Sequence, residues 1–316
     1  GQARSDVTYS CSSPTTCIVA EMSPRSLRPL AGIQVVSLAT NLPGPLAVAG
    51  LRDLGAAVIK VEPPVGDALA VAAPSWYAEL TQGVEVRRAD LKSRSGLEEL
   101  TRLLDTADVL VTAMRPSAFC RLGLGDLSDR YPRLCHVEIV GYDGADEEVA
   151  GHDLTYQARY GTIRPPHLPL VPVADTVGGE RAISAALALL LARGQHDSGG
   201  HQRITLDAAA YDSAAALRHG LFGNGAPLGG ALPSYNIYAT ADGHIALGAL
   251  EPHFEARTRE VLDCDGTSAA YTRAFAAHTT AHWEDLAARH DIPLTAVRDA
   301  HPATAQTTHA PTAPTT

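Results

Sequence analysis

The 316-residue sequence lacks several features that would place it in a specialised class of protein. No apolar run is long enough to cross a bilayer, and the N-terminal segment lacks the basic start and apolar core of a secretory signal. Basic runs are also missing, and a net charge of −10 argues against a nucleic-acid partner. With 45% hydrophobic and 19% charged residues, the composition is ordinary for a folded protein. We expect a cytoplasmic protein that binds neither nucleic acid nor membrane.

Cysteine and histidine occur without the spacing of a metal or redox site. The five cysteines are odd in number and unclustered, which is typical of reduced, structural thiols. No histidine stands at metal-ligand spacing from a Cys or acidic partner, and no G-x-G-x-x-G motif indicates a dinucleotide. We therefore expect no metal and no prosthetic group.

Changes in composition divide the chain into five segments. Residues 1–28 form a polar leader and residues 300–316 a tail rich in Thr, Ala and Pro, and we expect both to be disordered. A Gly-rich stretch at 223–230 is typical of a linker. It separates a large segment, 29–222, from a smaller α/β segment, 231–299.

Short apolar runs alternate with helical patterns through the large segment. Strands are predicted at 33–38, 57–61, 108–112, 135–140 and 203–206, and helices at 45–54, 96–106, 154–160, 179–192 and 210–222. This alternation indicates parallel βαβ units in a Rossmann-like α/β sheet. In the small segment we predict a hairpin of 235–240 and 244–249, helices at 253–262, 269–277 and 283–289, and a closing strand at 292–297.

Two potential proton carriers stand just before predicted helices. His152 follows Gly151, and Asp175 precedes a helix that Gly178 and Gly179 are expected to open. Histidine exchanges protons near neutral pH, whereas an aspartate needs its pKa raised by partial burial. On opposite sides of one carbon, two such groups can remove a proton from one face and return it to the other, as a racemase does. Taken alone, His152 is also compatible with a structural position at a helix start, and Asp175 with an N-cap.

Further motifs lie in order along the chain. They are PLAGIQVV (29–36), Gly44-Pro45, DLGAAVIKVEP (53–63), ADLKS (89–93), ADVLV (107–111), Arg115-Pro116, RLGL (121–124), and 235–243 followed by Glu251-Pro252. Together they resemble the class III CoA-transferase (CaiB/BaiF-type) superfamily over about residues 29–300. The resemblance implies an acyl-CoA substrate, whose CoA moiety is bound as part of the substrate. It also implies an interlocked homodimer with each active site between the large domain of one subunit and the small domain of its partner.

Within that superfamily, Gly151-His152-Asp153 and Glu251-Pro252 are similar to the α-methylacyl-CoA racemase branch. The resemblance implies that His152 and Asp175 exchange the α-proton of a 2-methyl (2-substituted) acyl-CoA through an enolate. The backbone N–H of Asp153 is expected to meet the thioester oxygen at a helix start, while its side chain is interpreted as a plain N-cap. By the same resemblance, Glu251 pairs with the catalytic histidine of the partner subunit. Taken alone, Glu251 is equally compatible with a solvated residue at a helix start.

CoA recognition is expected on the large segment. CoA phosphates require cations and backbone donors, and Lys92, Arg115 and Arg121 lie in the matching motifs. Leu91 and Tyr156 complete the predicted CoA-binding set. Taken singly, each cation is also compatible with a solvated surface position.

Two other functions stay open. In the transferase branch, a carboxylate at the position of Asp175 is the nucleophile that carries CoA through an acyl anhydride and a thioester. The second alternative is a repurposed isomerase or a non-catalytic binder in specialised metabolism, which the short link between His152 and Asp175 favours, together with a low-complexity tail where relatives continue. The acidic stretch 144–150 is a further departure from the superfamily pattern. The sequence leaves open the acyl group, and whether the thioester carrier is CoA or the phosphopantetheine of a carrier protein.

Overall fold

The computed structural model describes residues 28–125 and 127–299. The predicted tail at 300–316 lies outside the described residues, and so does the predicted leader apart from Arg28. None of the helices in these two ranges is long and apolar enough to cross a membrane.

A six-stranded parallel sheet organises the first part of the chain, in the spatial order β3-β2-β1-β4-β5-β6. Its strands are β1 (Gln34–Ser37), β2 (Ala57–Glu62), β3 (Glu85–Arg88), β4 (Val109–Thr112), β5 (Cys135–Val140) and β6 (Gly200–Thr205). The central strand β4 is buried throughout, as expected for a parallel strand covered on both faces. The strand order reverses between β1 and β4. In such sheets, ligands bind outside the carboxyl ends of the strands at that reversal.

Helices cover both faces of this sheet. They are α1 (Pro43–Asp53), α2 (Ala68–Ala72), α3 (Pro74–Leu80), α4 (Arg94–Leu104), α5 (Pro116–Arg121), α6 (Asp153–Arg159), α7 (Val173–His196), α8 (Leu206–Ser213) and α9 (Ala215–Arg218). Successive residues of a strand point to opposite faces, so Val35 joins the core under α1, α7 and α8, and Val36 joins the core under α4 and α5. Two apolar cores therefore hold the sheet between two helical layers.

Helices α1 and α7 approach each other closely because glycine stands at their contact. A Cβ added to Gly179 would lie 2.9 Å from Leu46 Cβ and 3.2 Å from the Pro43 carbonyl oxygen. A Cβ on Gly178 would overlap a terminal methyl of Leu206 on the other side. This packing sets the first turns of α7 beside the turn between β1 and α1.

An antiparallel three-stranded sheet and three helices form the second part of the chain. Strands β7 (Tyr235–Ala239), β8 (His244–Gly248) and β9 (Leu294–Ala296) pair in that order, and the helices are α10 (Pro252–Val261), α11 (Ser268–Phe275) and α12 (Thr280–His290). Tyr271, Phe275 and Trp283 pack with Ile245 in a separate apolar core. The predicted hairpin around Asp242-Gly243 is confirmed.

The largest errors of the sequence patterns concern where helices begin. Helix α7 starts at Val173 rather than at 179, because Gly178 and Gly179 are contact glycines inside the helix and do not open it. The single helix predicted at 210–222 is α8 and α9, and it begins earlier, where the Thr205 side chain caps the Ala208 N–H. The patterns do not predict α2, α3, β3 and α5, which are too short to show a period.

Candidate active site

A cavity of about 310 Å³ opens at the carboxyl edge of the large sheet. Its apolar wall follows β4 and β5 and is completed by Leu206 and the loop before α6. The apolar lining residues are Pro43, Ala113, Met114, Ile139, Val140, Val149, Ala150 and Leu206, and the charged or hydroxyl-bearing ones are Arg115, Glu147, His152, Tyr156, Asp175 and Thr40. The volume lies near the lower end of the range for small-molecule pockets. The fold thus brings His152, Asp175, Tyr156 and Arg115 to one cavity.

His152 is the residue immediately before α6, with an extended backbone (φ −141°, ψ 165°). The hydroxyl of Thr155 accepts from the His152 N–H at 3.0 Å and donates to the His152 carbonyl at 2.8 Å. Both bonds go to the backbone, so they fix the position of the residue without using the imidazole. His152 itself is exposed to solvent where it lines the cavity.

Tyr156, one turn into α6, is buried to 1% exposure and lines the same cavity. A Cβ on Gly141 or Gly151 would lie 2.5 Å from its hydroxyl oxygen, so both glycines make room for the ring. Burial raises the pKa of Tyr156, and the neighbouring Tyr142 and Asp175 raise it further. The hydroxyl therefore stays protonated at neutral pH. Gly151 is needed in the Gly-His-Asp motif because of this contact.

Asp153 departs from the expectation of a plain cap on its own helix. It is the first residue of α6, yet its side chain reaches the start of α7. Oδ1 accepts from the N–H of Ala174 at 2.7 Å and from that of Asp175 at 3.2 Å. Oδ2 accepts from Nε2 of Gln157 at 2.5 Å. The carboxylate therefore caps the neighbouring helix, at the residue expected to carry the second proton.

Asp175 is the third residue of α7 and not the N-cap expected from the sequence, because the helix begins earlier than the glycine pair suggests. It is partly buried, and burial raises its pKa to about 6, with the negative charge of Asp153 as a second cause. A carboxyl group that titrates near neutral pH can both accept and return a proton.

Among the predicted CoA-binding residues, only Arg115 and Tyr156 line this cavity. Arg121 is the last residue of α5, six residues after Arg115, and donates to the Ser117 hydroxyl at 3.2 Å. Lys92 is exposed, and the half-buried Leu91 packs against the core under α4. Both follow β3 and so lie on the same carboxyl edge of the sheet, three strands from Arg115.

The loop of residues 143–148, here called the acidic loop, faces these arginines. Ser117 donates to Glu148 from its N–H at 2.7 Å and from its hydroxyl at 2.8 Å. These bonds lower the pKa of Glu148, and the charges of Arg115 and Arg121 lower it further. Arg203 on β6 holds the rest of the loop, with Nη1 2.9 Å from Asp143 and 2.7 Å from Glu147. The sequence shows the loop's charge but not these partners.

The turn between β1 and α1 supplies a residue that sequence reasoning missed. Asn41 lines the cavity and has a left-handed backbone (φ 67°). Its N–H donates to Oδ1 of Asp67 at 3.1 Å, and the other oxygen of Asp67 accepts from Lys60. Two features of the sequence could have indicated this turn: a polar residue shortly before Pro-Gly-Pro, and charged residues inside the apolar pattern of β2.

Glu251 stands immediately before α10 and is exposed, outside this cavity. Its expected pairing with the histidine of a partner subunit is therefore still a prediction. In the described ranges, no group of three or more His, Cys, Asp or Glu residues is arranged to hold a metal ion.

The model of CoA-transferase family III matches residues 30–313. The chain belongs to this family. Human α-methylacyl-CoA racemase is 32% identical over 248 residues, which are 71% of this chain and 62% of that protein. The succinate–glutarate CoA-transferase of Agrobacterium fabrum is 32% identical over 259 residues, which are 71% of this chain and 64% of that protein. The chain thus spans less than two thirds of the length of these relatives.

Two solved structures share the fold. A hypothetical protein from Mycobacterium tuberculosis superposes with a TM-score of 0.77 at 25% identity, over 86% of this chain and 84% of that one. A CaiB/BaiF family protein from Brucella suis gives 0.72 at 24% identity, over 86% and 85%. The predicted family and the predicted α/β class are confirmed. Since racemases and CoA-transferases are equally similar to this chain, its membership shows an enzyme family with both kinds of member.

Proposed function

We propose that this family III protein is a racemase or epimerase of a 2-methyl or otherwise 2-substituted acyl-CoA. The observation that carries the proposal is that His152 and Asp175 line one cavity, at the starts of two successive helices. The pKa of about 6 at Asp175 supports proton exchange, because both forms of the carboxyl group are available near neutral pH.

In the proposed mechanism, the thioester acidifies its α-carbon and the substrate lies between the two carriers. One carrier takes the α-proton as the enolate forms, and the other returns a proton to the opposite face. The developing negative charge on the thioester oxygen is stabilised by the backbone N–H of Asp153, one of the first-turn groups that a helix leaves without an intrahelical acceptor. The apolar wall of the cavity favours an uncharged acyl chain.

Deuterium exchange at the α-carbon of 2-methylacyl-CoA in D2O tests the proposal, with wild type, His152→Ala and Asp175→Asn compared. We expect inversion with exchange in the wild type. Each variant should retain exchange with only one enantiomer, because one carrier is left. A wild type that binds CoA but exchanges no α-proton across several acyl chains would rule the racemase out.

The transferase is the second candidate, because a CoA-transferase is as similar to the chain as the racemase is. It predicts transfer of labelled free acid into acyl-CoA and a covalent adduct on Asp175 that hydroxylamine cleaves.

A non-catalytic or repurposed binder is the third candidate, and calorimetry with free CoA tests it. If the protein binds acyl-pantetheine but not acyl-CoA, the proposed substrate becomes an acyl group on the phosphopantetheine of a carrier protein.

The oligomeric state and location belong to the same proposal. The family resemblance implies an interlocked homodimer that brings Glu251 of one subunit to the histidine of the other, and the composition favours a cytoplasmic protein. Light scattering on the purified chain measures the oligomeric state. In a dimer, Glu251→Gln should lower exchange at the His152 face more than at the Asp175 face.

A further inference from the structure

The carboxylate of Asp153 joins the starts of two helices, and the two proposed proton carriers stand at those starts. Oδ1 accepts from the N–H groups of Ala174 and Asp175, at 2.7 and 3.2 Å. These are first-turn N–H groups, which have no acceptor within their own helix. A side chain of α6 thus supplies the cap that α7 lacks, since Pro172 precedes α7 without a side-chain cap.

Gln157 holds this carboxylate in place from one turn along α6. Its Nε2 donates to Asp153 Oδ2 at 2.5 Å and to the Val171 carbonyl at 2.9 Å, and the residue is 3% exposed. Asp153 is therefore fixed on both oxygens. The segment leading into α7 is tied to α6 by the same amide.

We infer that Asp153 is a positioning residue for Asp175, which it serves by fixing the backbone that carries the Asp175 carboxyl group and by placing a negative charge beside it. The inference rests on the proposed proton exchange. It assigns the Asp153 side chain a role separate from that of its backbone N–H.

The charge acts in a direction that suits the chemistry. Burial raises the pKa of Asp175, and Asp153 raises it further, so the carboxyl group holds a proton more readily than an exposed one. The other titratable or charged side chains that line the cavity are His152, Tyr156, Arg115 and Glu147. Asp153→Asn removes the charge and keeps an oxygen for the two N–H groups, whereas Asp153→Ala removes both.

Carbon-13 NMR titration of the aspartate carboxyl groups in the full chain tests the electrostatic part without any substrate. The Asp175 resonance, assigned by its loss in Asp175→Asn, should titrate near pH 6 in the wild type. In Asp153→Asn its apparent pKa should fall by about half a unit to one unit. Asp207→Asn is the matched control, because Asp207 bonds to Tyr160 and Arg159 and is not among the groups that raise the pKa of Asp175. An unchanged Asp175 titration in Asp153→Asn would overturn the inference.

Face-resolved deuterium exchange tests the positioning part. Asp153→Ala should slow exchange through Asp175 by about 10- to 100-fold, because the carboxyl group loses its fixed position. Exchange through His152 should change by no more than about threefold, and Asp153→Asn should recover most of the loss. Equal losses on both faces would show a merely structural role. A wild type without exchange would refute the proposed function, while the NMR titration would still decide whether Asp153 controls Asp175.

Discussion

The ammonium of Lys60 lies 2.6 Å from Oδ2 of Asp67, and neither side chain is exposed to solvent. The same ammonium contacts Glu62, whose carboxylate also accepts from the Tyr77 hydroxyl at 2.8 Å. Asp67 then accepts the Asn41 N–H with its other oxygen. A buried ion cluster in the strand β2 region therefore supports the turn at the edge of the candidate active site.

Removing the cation from this cluster should destabilise the protein strongly. Lys60→Met leaves two buried carboxylates without their shared partner, and we expect the free energy of unfolding to fall by about 3–5 kcal/mol. Lys92→Met, at an exposed lysine, should change it by no more than about 0.5 kcal/mol. Urea denaturation at pH 7 measures both. Similar values for the two variants would show that the buried cluster contributes no special stability.

Asp175 should cost the protein stability at neutral pH. Its folded pKa of about 6 lies above the ordinary value, so the native state binds this proton more tightly than the unfolded chain does. The resulting stabilisation is complete below the unfolded pKa near 4 and is lost as the pH rises through 6. Asp175→Asn should therefore raise the free energy of unfolding at pH 7 by about 1–3 kcal/mol, while proton exchange on its face is lost. The gain should shrink towards pH 4, and a gain independent of pH would contradict this explanation.

The contact between α1 and α7 should not tolerate one additional methyl group. Gly179→Ala would place a Cβ 2.9 Å from Leu46 Cβ and should lower the free energy of unfolding by about 1–3 kcal/mol. Gly194 lies in the same helix with no atom within 4 Å of an added Cβ, so Gly194→Ala should stabilise by about 0.5–1 kcal/mol. Thermal unfolding of the pair gives the sign of each change. Destabilisation by both would indicate a general intolerance of α7 and not a local contact.

Glu148 should compete with anionic ligands for the arginines that flank the cavity. Glu148→Ala frees the Ser117 donors and removes a negative charge from beside Arg115 and Arg121, so affinity for CoA should rise several-fold. Asp146→Asn removes an exposed charge from the same acidic loop and is the matched control. Calorimetry at two salt concentrations should show a steeper salt dependence for Glu148→Ala. Equal affinities of wild type and Glu148→Ala would mean that CoA does not use these arginines.

Sequence patterns located most strands of the large sheet because buried parallel strands form continuous apolar runs. Cys135–Val140 was predicted with both ends correct, and Val109–Thr112 to within one residue. Helix starts were harder to predict, because glycine is found both in the turn before a helix and inside a helix at a close packing contact. Gly178 and Gly179 lie inside α7 because Leu206 and Leu46, from neighbouring elements of the same chain, pack against them. The sequence around these glycines does not show that Leu46 and Leu206 pack against them.

Residues of the candidate site could be predicted from the sequence only where a side chain of suitable chemistry lies in a recognisable motif. The sequence identifies His152 and Asp175 as candidate proton carriers, and both line one cavity in the structure. The cap from Asp153 to Asp175 was not predictable, because the loop 160–172 separates the two helices and the length of a loop does not show where its ends meet. Glu148 was visible only as one charge in an acidic run, since its partner Ser117 is distant in sequence.

The Thr155 hydroxyl holds only the main chain of residue 152, and Asp153 anchors Asp175 independently of the imidazole. These bonds to the main chain do not depend on which side chain stands at position 152. One point substitution there removes the proposed proton carrier and leaves the anchored carboxylate of Asp175, the group that the transferase alternative needs as its nucleophile. A change from racemisation to CoA transfer would therefore need no repacking of the core. A His152→Gly or His152→Ala variant is the natural starting point for selecting transferase activity in the laboratory.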